Sequence, residues 1–187
     1  MTTTANRILY LVCCAAVPAV RIADGVRAAQ ARGWDVCLIL TPSAHRWLEA
    51  DVPALRALTG HPVRHQYKLP GEPDVLPPPD AILVAPATFN TVNKWAAGIS
   101  DTLALGLINE AIGLGLPIVA LPRMGAAQAA HPAFPRSVEF LRTAGVTVLL
   151  DEVGDGPGGD PGDEPLQGDG QEAYSWAKAV AALPAVG

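Results

Sequence analysis

Three short stretches of this sequence place small or hydroxyl-bearing residues directly after apolar runs, where a chain turning into a helix can hold an anion. The first is Cys13-Cys14-Ala15-Ala16, which follows the apolar run Arg7–Cys13. Its small residues enter a helix whose leading amides can bind a phosphate, and they can equally form an ordinary strand-to-helix turn. The second is Thr41-Pro42-Ser43-Ala44, after the run Asp35–Leu40. Its two hydroxyls either cap the helix that Pro42 begins or meet a phosphate. The third is Pro86-Ala87-Thr88-Phe89-Asn90-Thr91, after Asp80–Ala85, continuing through Lys94 to Ser100-Asp101. Gly-x-Gly-x-x-Gly is absent, which argues against a dinucleotide site. Cys13, Cys14 and Cys37 sit inside apolar runs without paired or histidine-linked metal spacing, so no metal is expected and they read as reduced core residues.

The elements that must carry these stretches alternate. Arg7–Cys13 reads as a buried strand, and Val17 to Arg32 has helical spacing, closed by Gly33 as its cap. A second strand, Asp35–Leu40, precedes the helix beginning at Pro42. Residues 51–79 are irregular, with a helical stretch near Leu55, a short strand around Val63 and prolines at 77–79. Regularity returns with strand Asp80–Ala85, a helix near Thr88–Ala97 and a helix from Asp101 to Ile112 with Ser100 as its cap. Strand Pro117–Leu121, helix Pro135–Ala144 and strand Val146–Leu150 follow. Fully apolar strands alternating with helices predict a parallel sheet covered on both faces, one α/β domain over residues 1–187. In such sheets ligands bind outside the carboxyl ends of the strands, where the three stretches lie.

Half of the residues are hydrophobic, enough for a substantial core in 187 residues. The net charge of -5 is local: residues 151–170 hold seven acids, no Lys or Arg, seven glycines and three prolines. That composition predicts a flexible surface loop, followed by a C-terminal helix at about 171–183 that returns to the domain. Outside the loop, acids and bases nearly balance, giving no electrostatic case for nucleic acid or a membrane surface. The apolar stretch Ile8 to Val20 is too short to span a bilayer, and a cytoplasmic location is expected.

The third stretch resembles the Pro-Ala-Ser-Ala-Asn-Thr motif of the homo-oligomeric flavin-containing cysteine decarboxylases, with its Lys-x-x-x-Gly-Ile-x-Asp-Asn-Leu continuation. Pro86, Ala87, Asn90, Thr91, Lys94, Gly98, Ile99, Asp101 and Leu103 match in register. Thr41-Pro42-Ser43-Ala44 is similar to the family's Thr-x-Ser-Ala, and Cys14 stands where a phosphate-contacting Ser usually lies. The resemblance implies a flavodoxin-like (Rossmann-like) three-layer fold and an FMN bound at a subunit interface of a homotrimer or dodecamer of trimers. Phe89 and Trp95 are candidate interface aromatics. Cofactor residues would be Cys14, Thr41, Ser43, Pro86, Ala87, Thr88, Asn90, Thr91, Ser100 and Asp101. The implied substrate is a small-molecule or peptide thiol ending in cysteine, oxidised to a thioaldehyde and decarboxylated to an enethiol. Asn90 would hold its carboxylate by hydrogen bonds, or else simply cap the following helix.

The sequence departs from that family at defined places. The family's catalytic His falls at Glu72-Pro73-Asp74, so His65 is the candidate catalytic histidine, or else an exposed loop residue. His61 lies further upstream. The family's Pro-x-Met-Asn is represented by Pro122-Arg123-Met124-Gly125, making Arg123 and Met124 substrate-binding candidates. Arg123 is also similar to the Pro-Arg of flavin prenyltransferases. His131-Pro132-x-Phe134 resembles the segment that follows in the decarboxylases. Residues 151–170 lack the Cys that reduces the product in pantothenate-pathway members. Three readings follow: an FMN-dependent oxidative decarboxylase, a non-catalytic flavin-binding or regulatory subunit, and a flavin prenyltransferase-like enzyme.

Overall fold

The computed structural model describes residues 7–150 and 174–185. Apolar runs become strands β1 (Arg7–Cys13), β2 (Trp34–Leu40), β3 (Ala81–Ala87), β4 (Ile118–Pro122) and β5 (Thr147–Val148). They form one all-parallel sheet in the order β2-β1-β3-β4-β5. That order reverses between β1 and β3, the place where loops from neighbouring strands diverge and open a crevice.

Because side chains alternate across a strand, each strand feeds two cores. Leu9, Leu11 and Cys13 of β1 pack with α1 (Ile22–Gln30), α2 (Pro42–Leu48) and α3 (Val52–Thr59). Tyr10, Val12 and Cys14 face the other way, onto α4 (Phe89–Ala96), α5 (Leu103–Gly113) and α7 (Ala133–Thr143). A short α6 (Ala126–Ala129), absent from the sequence reading, joins β4 to α7. The C-terminal helix α8 (Trp176–Ala181) returns to the first core, as its apolar stripe predicts. Trp176 and Tyr174 are buried there, and the Tyr174 hydroxyl donates to the Leu121 carbonyl at 3.1 Å. The acidic segment 151–170 lies outside the described residues.

Several local expectations change. The first helix opens as a 3-10 turn, Val17–Arg21, and α1 ends at a cap on Ala31; Gly33, at φ 85°, follows two residues later. Ser100 does not cap α5. Thr102, extended at φ -136°, does so by accepting the Leu105 N–H, while the Ser100 hydroxyl accepts from the Asn109 amide at 2.9 Å. The strand around Val63 is a single parallel bridge, Arg64 beside Ile39 on the outer edge of β2. Trp95 is 1% exposed and belongs to the second core, so it is not an available interface residue.

Candidate functional site

Four strand ends are joined by their own backbone. The Thr41 N–H donates to the Cys13 carbonyl (3.0 Å), Cys14 N–H to Pro86 C=O (3.1 Å), and Arg123 N–H to Ala87 C=O (2.8 Å). The sequence-chosen residues after β1, β2, β3 and β4 therefore lie in one row across the carboxyl edge of the sheet. A cis peptide precedes Pro86, where the β3–β4 register breaks.

Within that row the side chains divide by task. Thr41 caps α2, its hydroxyl accepting the Ala44 N–H at 3.3 Å, and thereby leaves Ser43 for other work. Ser43 is half-buried and accepts from the Arg46 guanidinium at 3.4 Å. The neighbouring helix start, Ala16 before Val17–Arg21, has no side-chain cap, but Pro18 carries no N–H and the Ala19 N–H already donates to the Ala16 carbonyl, so of its leading amides only Val17 has no partner among the described residues. Since α2 packs against that 3-10 turn, two helix starts, one Ser hydroxyl and one guanidinium share a corner. An open amide, a hydroxyl and one guanidinium of this kind suit a single phosphate group.

Cys14 serves the interior. Its thiol is fully buried, and burial raises its pKa, against hydrogen bonds from Thr91 and Thr88 that lower it. Cys13 is likewise driven far up by burial and by Cys14, so both stay protonated thiols at neutral pH. Thr88 caps α4, accepting the Thr91 N–H, and the two hydroxyls lie 3.0 Å apart. This disposes of Asn90 as the helix cap. The Asn90 side chain is exposed, in the first turn of α4, and makes no hydrogen bond among the described residues.

The remaining sequence candidates divide between that row and its surroundings. Asp101 pairs with Lys94 and, with Ser100, ties down the loop between α4 and α5; the Ser100 carbonyl accepts from the Tyr67 hydroxyl at 3.1 Å. Arg123 is 9% and Met124 6% exposed at the end of β4. His65 is partly buried and stacks on His45, with ring centroids 3.6 Å apart and planes at 13°. It follows the bridge on the outer edge of β2, with β1 and β2 between it and the strand that carries Asn90. His61 is held by Asp35 at 2.8 Å, at the opposite end of β2. The histidine that does reach the Asn90 turn is His131, edge-on to Phe89 at 5.6 Å between centroids. Its only sequence signal was the segment His131-Pro132-x-Phe134.

A five-stranded parallel sheet in this order, with the residues after four of its strands in one row along the carboxyl edge, defines a flavodoxin-like α/β protein. The chain belongs to the Flavoprotein family, whose model matches residues 2–174. Over 70 residues, 37% of the chain, it is 36% identical to a cysteine/cysteine sulfinic acid decarboxylase from an unknown prokaryotic organism. The chain spans 19% of that curated relative's length. Among solved structures it is similar to the FMN-dependent cysteine decarboxylase SpaF, with TM-score 0.64 and 25% identity, covering 78% of this chain and 84% of that one. It is also similar to the FMN-dependent cysteine decarboxylase TvaF from thioviridamide biosynthesis, with TM-score 0.62, 25% identity and coverage of 79% and 91%.

Proposed function

We propose that this protein binds FMN across the carboxyl ends of β1, β2 and β3 and oxidatively decarboxylates a peptide or conjugate ending in cysteine. The observation that carries this reading is Asn90: an exposed amide without a hydrogen-bond partner among the described residues, on a helix already capped by Thr88. The relatives named above, two of them FMN-dependent cysteine decarboxylases, support it.

The residues present fit FMN. The open Val17 amide, with the Ser43 hydroxyl and the Arg46 guanidinium on the adjoining helix, suits its one phosphate, and Phe89 offers an apolar, half-buried surface next to Asn90. Bound flavin supplies a two-electron acceptor. Asn90 donates to the substrate carboxylate and so fixes the carbon–carbon bond that breaks. We propose further that the unit is a homotrimer or a multiple of it, because strand-end loops in so small a sheet leave a flat ring exposed until a second copy covers it. The absence of a histidine at Glu72-Pro73-Asp74, together with a His65 stacked on His45, favours one alternative, a flavin-binding subunit without catalysis.

The test compares wild type with Asn90→Asp. A carboxylate at this position is as acceptable to a helix N-terminus as an amide, so thermal stability should stay within about 0.5 kcal/mol. It repels the substrate carboxylate, so anaerobic bleaching of bound FMN by a cysteine-ending peptide should be lost while FMN content is retained. Full turnover in the variant overturns the role of Asn90. A wild type that takes up FMN and is bleached by no such peptide overturns the decarboxylase and leaves the flavin-binding alternative.

A further inference from the structure

His131 ends the loop between α6 and α7, exposed, with its ring edge-on to Phe89 at an interplanar angle of 76°. Its Nδ1 lies 3.1 Å from the backbone N–H of Ala133, the first residue of α7. A backbone N–H can only donate, so Nδ1 is the acceptor, and the neutral ring carries its proton on Nε2. One nitrogen is thus committed to the fold, and the other is a fixed donor at an exposed face. Phe89 is the residue before Asn90, whose own side-chain amide is without a partner among the described residues. Two uncommitted N–H donors therefore stand beside one turn of one helix. His45 and His65 are stacked on each other beyond β2, and His61 is occupied by Asp35, so neither competes for this place.

We propose that His131 is a substrate-binding residue. Its Nε2–H and the Asn90 amide converge on the C-terminal carboxylate of the thiol substrate. A carboxylate has two oxygens with about four lone-pair sites, and two donors approaching from different elements orient it better than one. This assignment rests on the proposed function and deepens it by making a free terminal carboxylate the feature recognised.

The experiment measures equilibrium binding, by dialysis, of a cysteine-ending peptide and of the same peptide as its C-terminal amide. The FMN-loaded wild type, His131→Ala, His131→Gln and the surface control Arg136→Ala are compared, with anaerobic flavin bleaching run alongside. Losing a donor to a charged group should weaken the acid peptide roughly 10- to 100-fold in His131→Ala. The amide peptide should be little affected. His131→Gln, whose side-chain amide reaches a similar point, should recover most of the loss, and Arg136→Ala should match wild type. Equal weakening of both peptides, or acid-peptide binding within about twofold of wild type in His131→Ala, overturns the proposal. Should wild type bind the acid peptide without bleaching, the reaction fails while the binding comparison still judges His131. A wild type that binds neither peptide overturns both.

Discussion

A histidine stacked on another histidine has more than one reason to stay neutral. The pKa of His65 is lowered by its burial, then by His45 and by Arg64. The folded protein therefore resists protonating it, whereas the unfolded chain takes up the proton near pH 6.5. Stability is complete above that value and falls as the pH drops below it toward the folded pKa. Thermal melts between pH 7.5 and 5 should show an acidic limb that His65→Gln reduces; an unchanged limb would mean that other groups carry it. Cap chemistry at this scale is legible where one residue is singled out. Pro42, whose fixed φ starts the helix, marked the position, and of the two hydroxyls beside it that could cap or meet a phosphate it is Thr41 that caps. It misleads at Ser100-Asp101-Thr102, since all three types can cap. The choice fell to Thr102 because Asn109 and Lys94 engage the other two, contacts that only the folded loop brings about. His131 was hidden for the same reason, as its link to Phe89 joins residues far apart in sequence.

Elements pack closely at two helical glycines, with different consequences. A Cβ on Gly25 would lie 2.5 Å from the Trp176 ring, which is buried in the first core where α8 packs on α1. A Cβ on Gly106 would meet the Tyr67 hydroxyl at 2.1 Å, but Tyr67 is 53% exposed and can swing away. Replacing a helical Gly by Ala gains about 1 kcal/mol in propensity, while overpacking a core costs about 1–3 kcal/mol. Gly25→Ala should therefore lower the melting temperature and shift tryptophan emission as Trp176 is displaced. Gly106→Ala should be nearly neutral, losing only the Tyr67–Ser100 hydrogen bond. The opposite ranking in a melt would show that α8 adapts more readily than the loop bearing Tyr67. Long apolar runs made the strands readable, and the C-terminal stripe made α8 readable. The four-residue α6 was not, because Ala126–Ala129 carries too little pattern to distinguish a turn of helix from loop.

For the molecule as a whole, the two-sided parallel sheet followed from the alternation of apolar runs with helical spacing, and the flavodoxin-like class from the family resemblance, while the strand order became visible only in the folded sheet. If the proposed homo-oligomer forms, three exposed apolar side chains are candidates for its interface. Tyr67, Leu69 and Ile99 are 53%, 68% and 42% exposed, and Tyr67 is hydrogen-bonded to the residue after Ile99. Light scattering at micromolar concentration should give a trimer or its multiple, and Leu69→Asp with Ile99→Asp should reduce it. A wild-type monomer that still holds FMN would contradict a shared site. The row of backbone hydrogen bonds joining the ends of β1, β2, β3 and β4 bears on how such a protein can change over time. None of those three bonds uses a side chain, so the frame of the crevice is indifferent to the letters written along it. Cys14 after β1 and Arg123 after β4 each reach the neighbouring strand end through a backbone N–H, whatever their side chains do. A lineage built this way is free to revise what it recognises while keeping the place where recognition happens.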